Sequence, residues 1–380
     1  MRRIRVLVVD DSVVVRRLVS DVISADQRFE VVGTAANGSI GLQKIGQLTP
    51  DLVTLDVEMP EMDGLQTLVA IRGKWPRLPV IMFSTLTERG AATTLEALSS
   101  GASDYVTKPA NVGSVALAQE RVREQLLPKI LAFCGHLLPG SSAALVPPKL
   151  PSAGVQAISK PPRVGARREP VGIVAIGMST GGPNALAELI PALPGDLGVP
   201  IVVVQHMPAM FTKLLAERLD KLSGLSVAEG VDGEWLNPGQ VWIAPGDRHM
   251  LVQRQGDRYR LRLSDAPPEN SCRPAVDPLF ASVAECYNGK ALAVVLTGMG
   301  YDGLRGSEQV RRSGGRVIVQ DEASSVVWGM PGAVARAGLA DLVLPLQEIA
   351  AEIKQQVGLS TIPSKALGPS RLEQSLHGTL

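Results

Sequence analysis

Three side chains that together could cleave an acyl bond follow apolar runs in the second half of the chain. Ser179 lies in VGIVAIGMSTGGPN, where an apolar run ends in a turn with the spacing Gly177-x-Ser179-x-Gly181 of a nucleophile elbow. His206 follows the run IVVVQ, and Asp302 lies in the turn TGMGYDG after the run ALAVV. If these runs are strands of one parallel sheet, the side chains meet as nucleophile, base and orienting carboxylate. The glycine-rich turn taken alone is also typical of an ordinary strand-to-helix connection or a phosphate cradle.

Each side chain would have a separate role in such a group. His206 would take the proton from Ser179, and Asp302 would hold the histidine tautomer and stabilise the imidazolium. We expect backbone N–H groups near Thr180 and Met299 to receive the oxyanion. The chain order Ser, His, Asp differs from the Ser, Asp/Glu, His order of α/β-hydrolases, so the elbow spacing does not indicate that fold.

A second interpretation of the turn TGMGYDG is dinucleotide binding. Gly298-x-Gly300-x-x-Gly303 follows a strand, opens a helix and precedes Asp321 by about twenty residues, as in a dinucleotide fingerprint. Asp302 would then lie where a pyrophosphate must approach the helix, and the repulsion would cost affinity. Dinucleotide binding also leaves the serine and the histidine without a role. We therefore favour acyl transfer and keep nucleotide binding as the alternative.

Three carboxylates near the N-terminus predict a cation site. Asp10 and Asp11 follow the run IRVLVV, and Asp56 ends the run DLVTLD. Carboxylates that converge in one crevice cannot all stay ionised without a cation, and Mg²⁺, a hard oxygen-ligated ion, suits them. Ser84 ends the strand-like run VIMFS, and Lys108 follows the strand-like run DYVT. They would add a hydroxyl and an ammonium to the same crevice. This combination suits the capture of a phosphoryl group on a carboxylate.

Apolar periodicity predicts the elements that must position these residues. Residues 4 to about 130 alternate five strand-like runs with helical patterns, which predicts a doubly wound parallel sheet with its sites at the carboxyl ends of the strands. From residue 171 onward, apolar runs again alternate with helical patterns, which predicts a doubly wound α/β domain with a mostly parallel sheet. The runs VWIAP and YRLRL, joined by glycine-rich turns, are predicted to form a short antiparallel ribbon packed on that sheet.

The sequence divides into four segments. A first domain is predicted over residues 1–130 and a second over residues 171–360. Residues 131–170 are rich in Pro, Gly, Ser and Ala, which predicts a flexible linker. Residues 361–380 have no periodic pattern and are predicted to be a disordered tail.

Composition and charge argue against several classes of protein. The 37 acidic and 38 basic residues nearly cancel, so no strong field favours DNA or a membrane surface as a partner. The three cysteines, Cys134, Cys272 and Cys286, are widely spaced, and the N-terminus runs directly into a strand. These features predict a reduced, cytoplasmic protein without a structural metal site. The apolar runs are of strand length, which predicts no insertion into a membrane.

The motifs of the first domain resemble those of a two-component receiver domain. The motifs that carry this resemblance are Asp10-Asp11, Asp56, the MPEMDG turn, Ser84, Tyr105 and Lys108-Pro109. The resemblance extends over nearly all of residues 1–130. It implies a flavodoxin-like fold with a five-stranded parallel sheet, a histidine kinase as phosphodonor, and Mg²⁺ as the cofactor of phosphorylation.

The receiver resemblance also implies a role for each of these residues. Asp56 would be the phosphorylated residue. Asp11 and Asp56, together with the carbonyl of Glu58, would hold Mg²⁺, and Asp10 would support the metal shell. Lys108 would bridge to the phosphoryl oxygens. The residues that respond to the phosphoryl group would be Ser84, Tyr105 and Lys108.

The second domain resembles the catalytic domain of the chemotaxis receptor methylesterase family, whose members are response regulators and also receptor glutaminases. The resemblance is carried by GMSTGGPNAL, VVVQHMPAMFT, WIAPGDRHM and VVLTGMGYDG. By position it makes Ser179 the nucleophile, His206 the base and Asp302 the acid, with no cofactor in this domain. It implies hydrolysis of glutamate γ-methyl esters on the cytoplasmic helices of chemoreceptors, with release of methanol. It also implies deamidation of particular receptor glutamines.

The long linker predicts how the first domain regulates the second. A flexible linker can tether two domains but cannot transmit strain, so we expect the receiver to act by docking over the catalytic crevice. Phosphorylation of Asp56 adds about −1.5 to −2 charges, which should bias the face containing Tyr105 between two arrangements. The alternative from another class is a non-enzymatic receiver-linked module that binds a nucleotide or docks on DNA. No helix-turn-helix pattern with a basic recognition helix follows the receiver, which disfavours it.

Overall fold

Two parallel sheets, one in each half of the chain, organise the structure, a computed structural model that describes residues 2–109, 113–139 and 170–358. Most of the predicted linker and the whole of the predicted tail lie outside these described residues. Within the three described ranges, no helix has the length and apolarity needed to cross a lipid bilayer.

The first sheet has five parallel strands in the order β2-β1-β3-β4-β5. Its strands are β1 Ile4–Val9, β2 Phe29–Ala35, β3 Leu52–Asp56, β4 Val80–Ser84 and β5 Asp104–Thr107. The helices that alternate with them are α1 Val13–Ser24, α2 Gly38–Leu48, α3 Gly64–Lys74, α4 Glu88–Ser99 and α5 Val115–Cys134. The predicted flavodoxin-like fold with a five-stranded parallel sheet is confirmed.

Local signals fix where the receiver helices begin and end. Asp63 and Gln66 form a capping box that starts α3 directly after the turn that follows Asp56. At the other end of the domain, α5 continues to Cys134, and a 3₁₀ turn follows at Gly135–Leu137. The last helix of this domain therefore extends beyond residue 130, the predicted end of the first domain. The limits of the two domains remain a prediction.

The second sheet has seven parallel strands in the order β14-β13-β12-β6-β7-β9-β8. Its strands are β6 Ile173–Met178, β7 Ile201–Gln205, β8 Ser226–Glu229, β9 Gln240–Ile243, β12 Ala291–Val295, β13 Arg316–Gln320 and β14 Leu342–Leu344. An antiparallel pair is formed by β10 His249–Gln255 and β11 Arg258–Ser264. The helices are α6 Gly182–Leu189, α7 Ala209–Leu222, α8 Val276–Tyr287, α9 Leu304–Arg312, α10 Met330–Arg336 and α11 Leu346–Val357, with a 3₁₀ turn at Asn288–Lys290. The predicted α/β class with a short ribbon is confirmed.

The composition of the ribbon differs from the prediction. YRLRL lies in β11 as predicted, but its partner is β10, and the assignment of VWIAP to the ribbon was wrong. Val241, Trp242 and Ile243 form β9, which pairs in parallel with β7 in the main sheet. All three side chains are buried, because β9 is covered on both faces in the manner of a parallel sheet strand.

The receiver packs directly on the second domain. Its helix α4 contacts α6 and α7, and two hydrogen bonds cross the interface. Asn184 Nδ2 donates to the carbonyl of Leu98 at 2.9 Å, and Arg218 Nη1 donates to the carbonyl of Leu95 at 2.6 Å. Buried apolar side chains of both domains belong to one continuous hydrophobic cluster.

Candidate active site

Neighbouring strands of the second sheet bring the predicted nucleophile and base together. In the ladder between β6 and β7, Met178 pairs with Gln205, so Ser179 and His206 each follow the last pair. The backbone N–H of His206 donates to the carbonyl of Met178 at 3.2 Å, which continues the ladder by one residue. Strand β12 pairs with β6 on its other side, and the turn containing Asp302 follows β12.

Close backbone packing holds Ser179 at the strand-to-helix turn. Gln205 Nε2 donates to the carbonyl of Ser179 at 2.9 Å, and the N–H of Ser179 donates to the carbonyl of Thr297 at 3.0 Å. Gly181 has a φ of 82°, a conformation that glycine adopts at little cost. A Cβ on Gly298 would lie 2.9 Å from the Cβ of Ser179. The elbow spacing therefore reflects a turn in which glycines make room on both sides of the serine.

His206 and Asp302 form a buried hydrogen-bonded pair. His206 Nε2 lies 2.8 Å from Asp302 Oδ2, and the other ring nitrogen, Nδ1, lies 3.5 Å from Cys272 Sγ. Among the described residues, Ser179 Oγ makes no hydrogen bond with His206. Nδ1 is then the ring nitrogen that remains for a proton exchange with Ser179, because Nε2 is held by the carboxylate.

The carboxylate of Asp302 is surrounded by donors. Besides His206, it accepts from the backbone N–H groups of Val276 at 2.6 Å, Gly303 at 3.0 Å and Asp277 at 3.1 Å. The amide of Asn270 donates to its Oδ1 at 2.8 Å. This network keeps the carboxylate ionised in a buried position.

The pair shifts the pKa of each partner in opposite directions. Burial alone would raise the pKa of Asp302, but its hydrogen bonds with His206 and with backbone N–H groups hold that pKa below its ordinary value. Burial opposes the charge of His206, but the hydrogen bond with Asp302, aided by Cys272, outweighs it and raises the pKa of the imidazole. The histidine is therefore more basic than a free imidazole.

The two predicted oxyanion donors lie beside Ser179. Thr180 directly follows the serine, and its carbonyl accepts from Thr297 Oγ1 at 2.9 Å. Met299 follows Gly298, whose carbonyl accepts from the N–H groups of Gly329 and Met330 at 3.0 and 2.8 Å. Within the described residues, the N–H groups of Thr180 and Met299 donate to no protein acceptor.

Sequence reasoning missed a loop that completes this network. The segment between β11 and α8 supplies Asn270 to Asp302 and Cys272 to His206. His249 holds the segment in place: its Nδ1 accepts from the N–H of Ala275 at 3.2 Å, and its Nε2 lies 3.1 Å from the carbonyl of Pro267. No motif or periodic pattern in this segment distinguished these residues, because their contacts depend on the course of the loop.

The receiver residues converge at the carboxyl ends of β1, β3 and β5. Lys108 Nζ lies 2.7 Å from Asp56 Oδ2 and 3.0 Å from Asp10 Oδ2. Both carboxylates are 2% exposed. Burial, followed by repulsion from Asp10, raises the pKa of Asp56 to about 6, although Lys108 opposes this shift.

This cluster fits a hard cation. Asp10, Asp11 and Asp56 each offer a carboxylate oxygen within 4.8 Å of the others, and it is the one such group in the described part of the chain. All of its ligand atoms are oxygens, the type that Mg²⁺ prefers. Glu58, the fourth predicted contributor, donates its N–H to Asp56 Oδ1 at 3.4 Å. The residues present therefore suit Mg²⁺.

The other two predicted switch residues make contacts in other parts of the molecule. Ser84 is buried, donates to the carbonyl of Gly90 at 3.1 Å, and accepts from Thr94 Oγ1 at 2.7 Å. Tyr105 is also buried, and its ring stacks on Phe211 of the second domain. The predicted aromatic switch residue is thus part of the domain interface.

The interface also reaches the turn that carries the serine. A cleft between the domains is lined on the receiver side by residues 98 and 101–104 and on the other side by Gly181, Pro183, Asn184 and Val326. Gly181 and Pro183 belong to the turn and first helical residues that follow Ser179. The docked receiver therefore lies next to the candidate nucleophile.

The geometry does not support dinucleotide binding. Asp302 Oδ1 accepts the N–H of Gly303, which is the group that a pyrophosphate would need at the start of α9. Asp321, the carboxylate of the fingerprint pattern, accepts from the N–H and the hydroxyl of Ser324 at 2.9 and 2.6 Å. The N–H of Gly303 and the carboxylate of Asp321 are therefore both engaged in hydrogen bonds within the protein.

Comparison with known proteins gives one consistent result. The family profile for CheB methylesterase matches residues 174–353, and that for the response regulator receiver domain matches residues 6–118. A protein-glutamate methylesterase/protein-glutamine glutaminase of Trichodesmium erythraeum is 51% identical over 94% of this chain and 100% of its own length. A protein of the same name from Nocardioides sp. is 53% identical over 97% and 100%. The crystal structure of the Thermotoga maritima CheB methylesterase catalytic domain is 48% identical, covers 49% of this chain and 98% of its own, and has a TM-score of 0.48.

Proposed function

Because this chain belongs to the CheB methylesterase family and carries a receiver domain, we propose that it is a phosphorylation-activated protein-glutamate methylesterase and protein-glutamine glutaminase. Its substrates would be glutamate γ-methyl esters and particular glutamines on the cytoplasmic helices of chemoreceptors, and its action would serve sensory adaptation. The observation that carries the chemical part of this proposal is the 2.8 Å contact between His206 and Asp302 at the strand end next to Ser179.

The proposed reaction begins with attack of Ser179 Oγ on the γ-carbonyl carbon of the substrate. His206 accepts the serine proton on Nδ1, while Asp302 stabilises the imidazolium through Nε2. The C–O bond to the methoxy group then breaks, and methanol leaves with the proton from His206. Water attacks the acyl-enzyme and gives a proton to His206, which passes it to Ser179 Oγ as the bond between the acyl carbon and Oγ breaks and glutamate leaves.

The same route serves a glutamine side chain. Ammonia replaces methanol as the leaving group, and its departure requires protonation by His206. We therefore assign both activities to Ser179 and expect deamidation to be the slower one. The N–H groups of Thr180 and Met299 would stabilise the oxyanion in both reactions, and removing one such donor typically costs ~3 kcal/mol of transition-state stabilisation.

The receiver would supply the regulation. Asp56 would accept the phosphoryl group from a histidine kinase, with Mg²⁺ held by Asp11, Asp56 and the carbonyl of Glu58, and with Asp10 supporting them. The bound cation would neutralise the carboxylates and the incoming phosphoryl oxygens. Lys108, now paired with two carboxylates, would turn to the phosphoryl group.

The regulatory part rests on the contact of Tyr105 with Phe211. Phosphorylation would draw Lys108 and Ser84 toward the phosphoryl oxygens and so change the packing that holds the Tyr105 ring. Loss of its stacking on Phe211 would weaken docking and expose the turn after Ser179. In this scheme residues 1–130 form the receiver, 131–170 the tether and 171–360 the catalytic domain, in the cytoplasm.

Methanol release tests the proposal. The full chain, a small-molecule phosphodonor and Mg²⁺ are incubated with a chemoreceptor fragment carrying labelled methyl esters. We expect labelled methanol from the parent and none above background from Ser179→Ala. Stabilisation by a nucleotide without any turnover would instead favour the nucleotide-binding module.

A further inference from the structure

One loop contacts both members of the acid–base pair. It is the segment between β11 and α8, and it places Asn270 Nδ2 2.8 Å from Asp302 Oδ1 and Cys272 Sγ 3.5 Å from His206 Nδ1. Asn270 is the one side chain besides His206 that donates to Asp302 in the described part of the chain. The remaining donors to this carboxylate are backbone N–H groups.

The amide of Asn270 lies between two buried carboxylates. Its Nδ2 also donates to Asp277 Oδ2 at 2.9 Å, and Asp277 and Asp302 are 4% and 2% exposed. A side-chain amide carries two N–H protons, so Asn270 can give one to each carboxylate. The assignment of the nitrogen is chemically required, because both neighbours are acceptors when ionised. The amide therefore lies between the two carboxylates and donates a hydrogen bond to each.

The backbone at this position favours asparagine. Asn270 has a φ of 50°, in the left-handed region that asparagine tolerates better than most residues with a Cβ. A glutamine would extend the amide by one methylene, and an aspartate would present an oxygen to both carboxylates. Asparagine thus combines the required backbone conformation with the required donor.

We propose that Asn270 is a positioning residue for the acid–base pair: its amide holds the Asp302 carboxylate in the orientation in which Oδ2 accepts from His206. This inference rests on the proposed function, since it assigns Asn270 a role in the same reaction. Asn270 acts through Asp302 and has no direct contact with His206 among the hydrogen bonds of the described residues.

Three ionisable side chains lie near the Asp302 carboxylate or its partner His206. His206 faces Asp302 from the end of β7, Asp277 faces it from the start of α8, and Cys272 faces His206 from the loop. Burial, followed by repulsion from Asp302, raises the pKa of Asp277 to about 6. The amide of Asn270 lies between this carboxylate and that of Asp302 and donates to both.

Two substitutions and a matched control test the role. Asn270→Gly removes the amide and keeps the positive φ, because glycine adopts this conformation freely. Asn270→Asp keeps the shape and replaces the donor by an acceptor. Ser271→Gly is the control, because Ser271 is the next residue of the loop, is exposed, and has a φ of 62°. All are made in the full chain and assayed with the phosphodonor and Mg²⁺.

We expect kcat of Asn270→Gly to be at least about fivefold below that of Ser271→Gly, with KM within twofold, because the residue orients the base without touching the substrate. Any smaller loss of kcat would overturn the role. If Asn270→Gly lost its cooperative melting transition, kcat of Asn270→Asp would be compared with that of Ser271→Gly, and the same fivefold threshold would apply.

The imidazole pKa of His206 provides a readout that does not depend on turnover. It is measured by titration of ¹⁵N-histidine NMR signals, assigned with His206→Ala. We expect Asn270→Gly to lower this pKa by about half a unit or more relative to Ser271→Gly, because a less firmly held Asp302 stabilises the imidazolium less. An unchanged pKa in a folded Asn270→Gly variant would contradict the positioning role. If the parent chain released no methanol, the proposed function would fail, while this NMR result would still decide the role of Asn270.

Discussion

The ring of Tyr105 in the receiver stacks on the ring of Phe211 in the catalytic domain, with centroids 4.8 Å apart and planes 8° from parallel. Lys129 holds Tyr105 in this position, since its Nζ donates to the Tyr105 carbonyl at 2.7 Å and lies 5.1 Å from the ring centroid. Phe211 lies in the first turn of α7, directly after the segment that carries His206. This stack therefore links the face of the receiver that carries Tyr105 to the helix that follows the candidate base.

Loss of the stack should raise the activity of the unphosphorylated chain. Such aromatic pairs are worth about 0.5–1.5 kcal/mol beyond their buried area, so Tyr105→Leu should increase basal methanol release by roughly two- to twelvefold. Tyr259→Leu is the matched control, because Tyr259 stacks on Tyr287 within the catalytic domain, with centroids 4.0 Å apart. Equal basal rates in the two variants would contradict a regulatory role of the Tyr105 stack.

Removal of the whole receiver should also relieve inhibition. A fragment that starts near Arg167 should release methanol faster than the unphosphorylated full chain, because the docked receiver lies beside the turn after Ser179. Asp56→Asn should keep the basal rate and lose all stimulation by a phosphodonor with Mg²⁺. Steady-state assays of the three proteins decide this point: a fragment slower than the full chain would mean that the receiver assembles the site.

Ser179→Ala should remove both activities without unfolding the protein. If Ser179 and His206 act as a unit, either alanine substitution should cost roughly 10⁴ or more in turnover, and Asp302→Asn should cost less. The control is the melting profile, which should not change for Ser179→Ala because the serine buries little apolar surface. We would discard the single-site mechanism if this variant still deamidated receptor glutamine.

The pH dependence of kcat should report the His206–Asp302 pair. Burial lowers the pKa of His206, but the hydrogen bond with Asp302, aided by Cys272, outweighs burial and raises the imidazole pKa above 6.5. Because the base must be neutral, the ascending limb of the profile should lie above pH 6.5 and shift to lower pH in Asp302→Asn. The contribution of the raised pKa to the free energy of unfolding is present below about pH 6.5 and is lost as the pH rises through the folded-state pKa. An ascending limb at the same pH in both proteins would rule out the pair.

Binding of Mg²⁺ should depend on an exposed carboxylate. Asp11 belongs to the carboxylate cluster and is exposed, so Asp11→Asn should weaken the stabilisation of the chain by MgCl₂ without affecting basal activity. A ligand at 100 times its Kd stabilises a protein by about 2.7 kcal/mol, which a melting curve measured over a range of MgCl₂ concentrations detects. Asp21→Asn, at an exposed position on α1, the helix that follows Asp11, is the control. Equal responses of the two variants to MgCl₂ would contradict the assignment of Asp11.

The sequence alone was sufficient for the two α/β folds and for the strand ends at which chemistry is expected. Buried parallel strands are short, rich in β-branched residues and flanked by glycine or proline, so β6, β7 and β12 were recognisable without any tertiary information. Parallel strands also end at one edge of their sheet. A polar residue directly after each run, such as Ser179 or His206, could therefore be expected near the others.

Only the tertiary structure decided which residues surround that group. Asn270 and Cys272 reach the acid–base pair through an irregular loop whose course is set by His249, and no periodic pattern encodes such a course. The placement of β9 at the sheet and the contact of Tyr105 with Phe211 likewise depend on long-range packing. Local sequence determines which segments become strands and turns, because backbone preferences act over a few residues. Contacts between distant segments are settled by the burial of surfaces that meet only when the whole chain has folded.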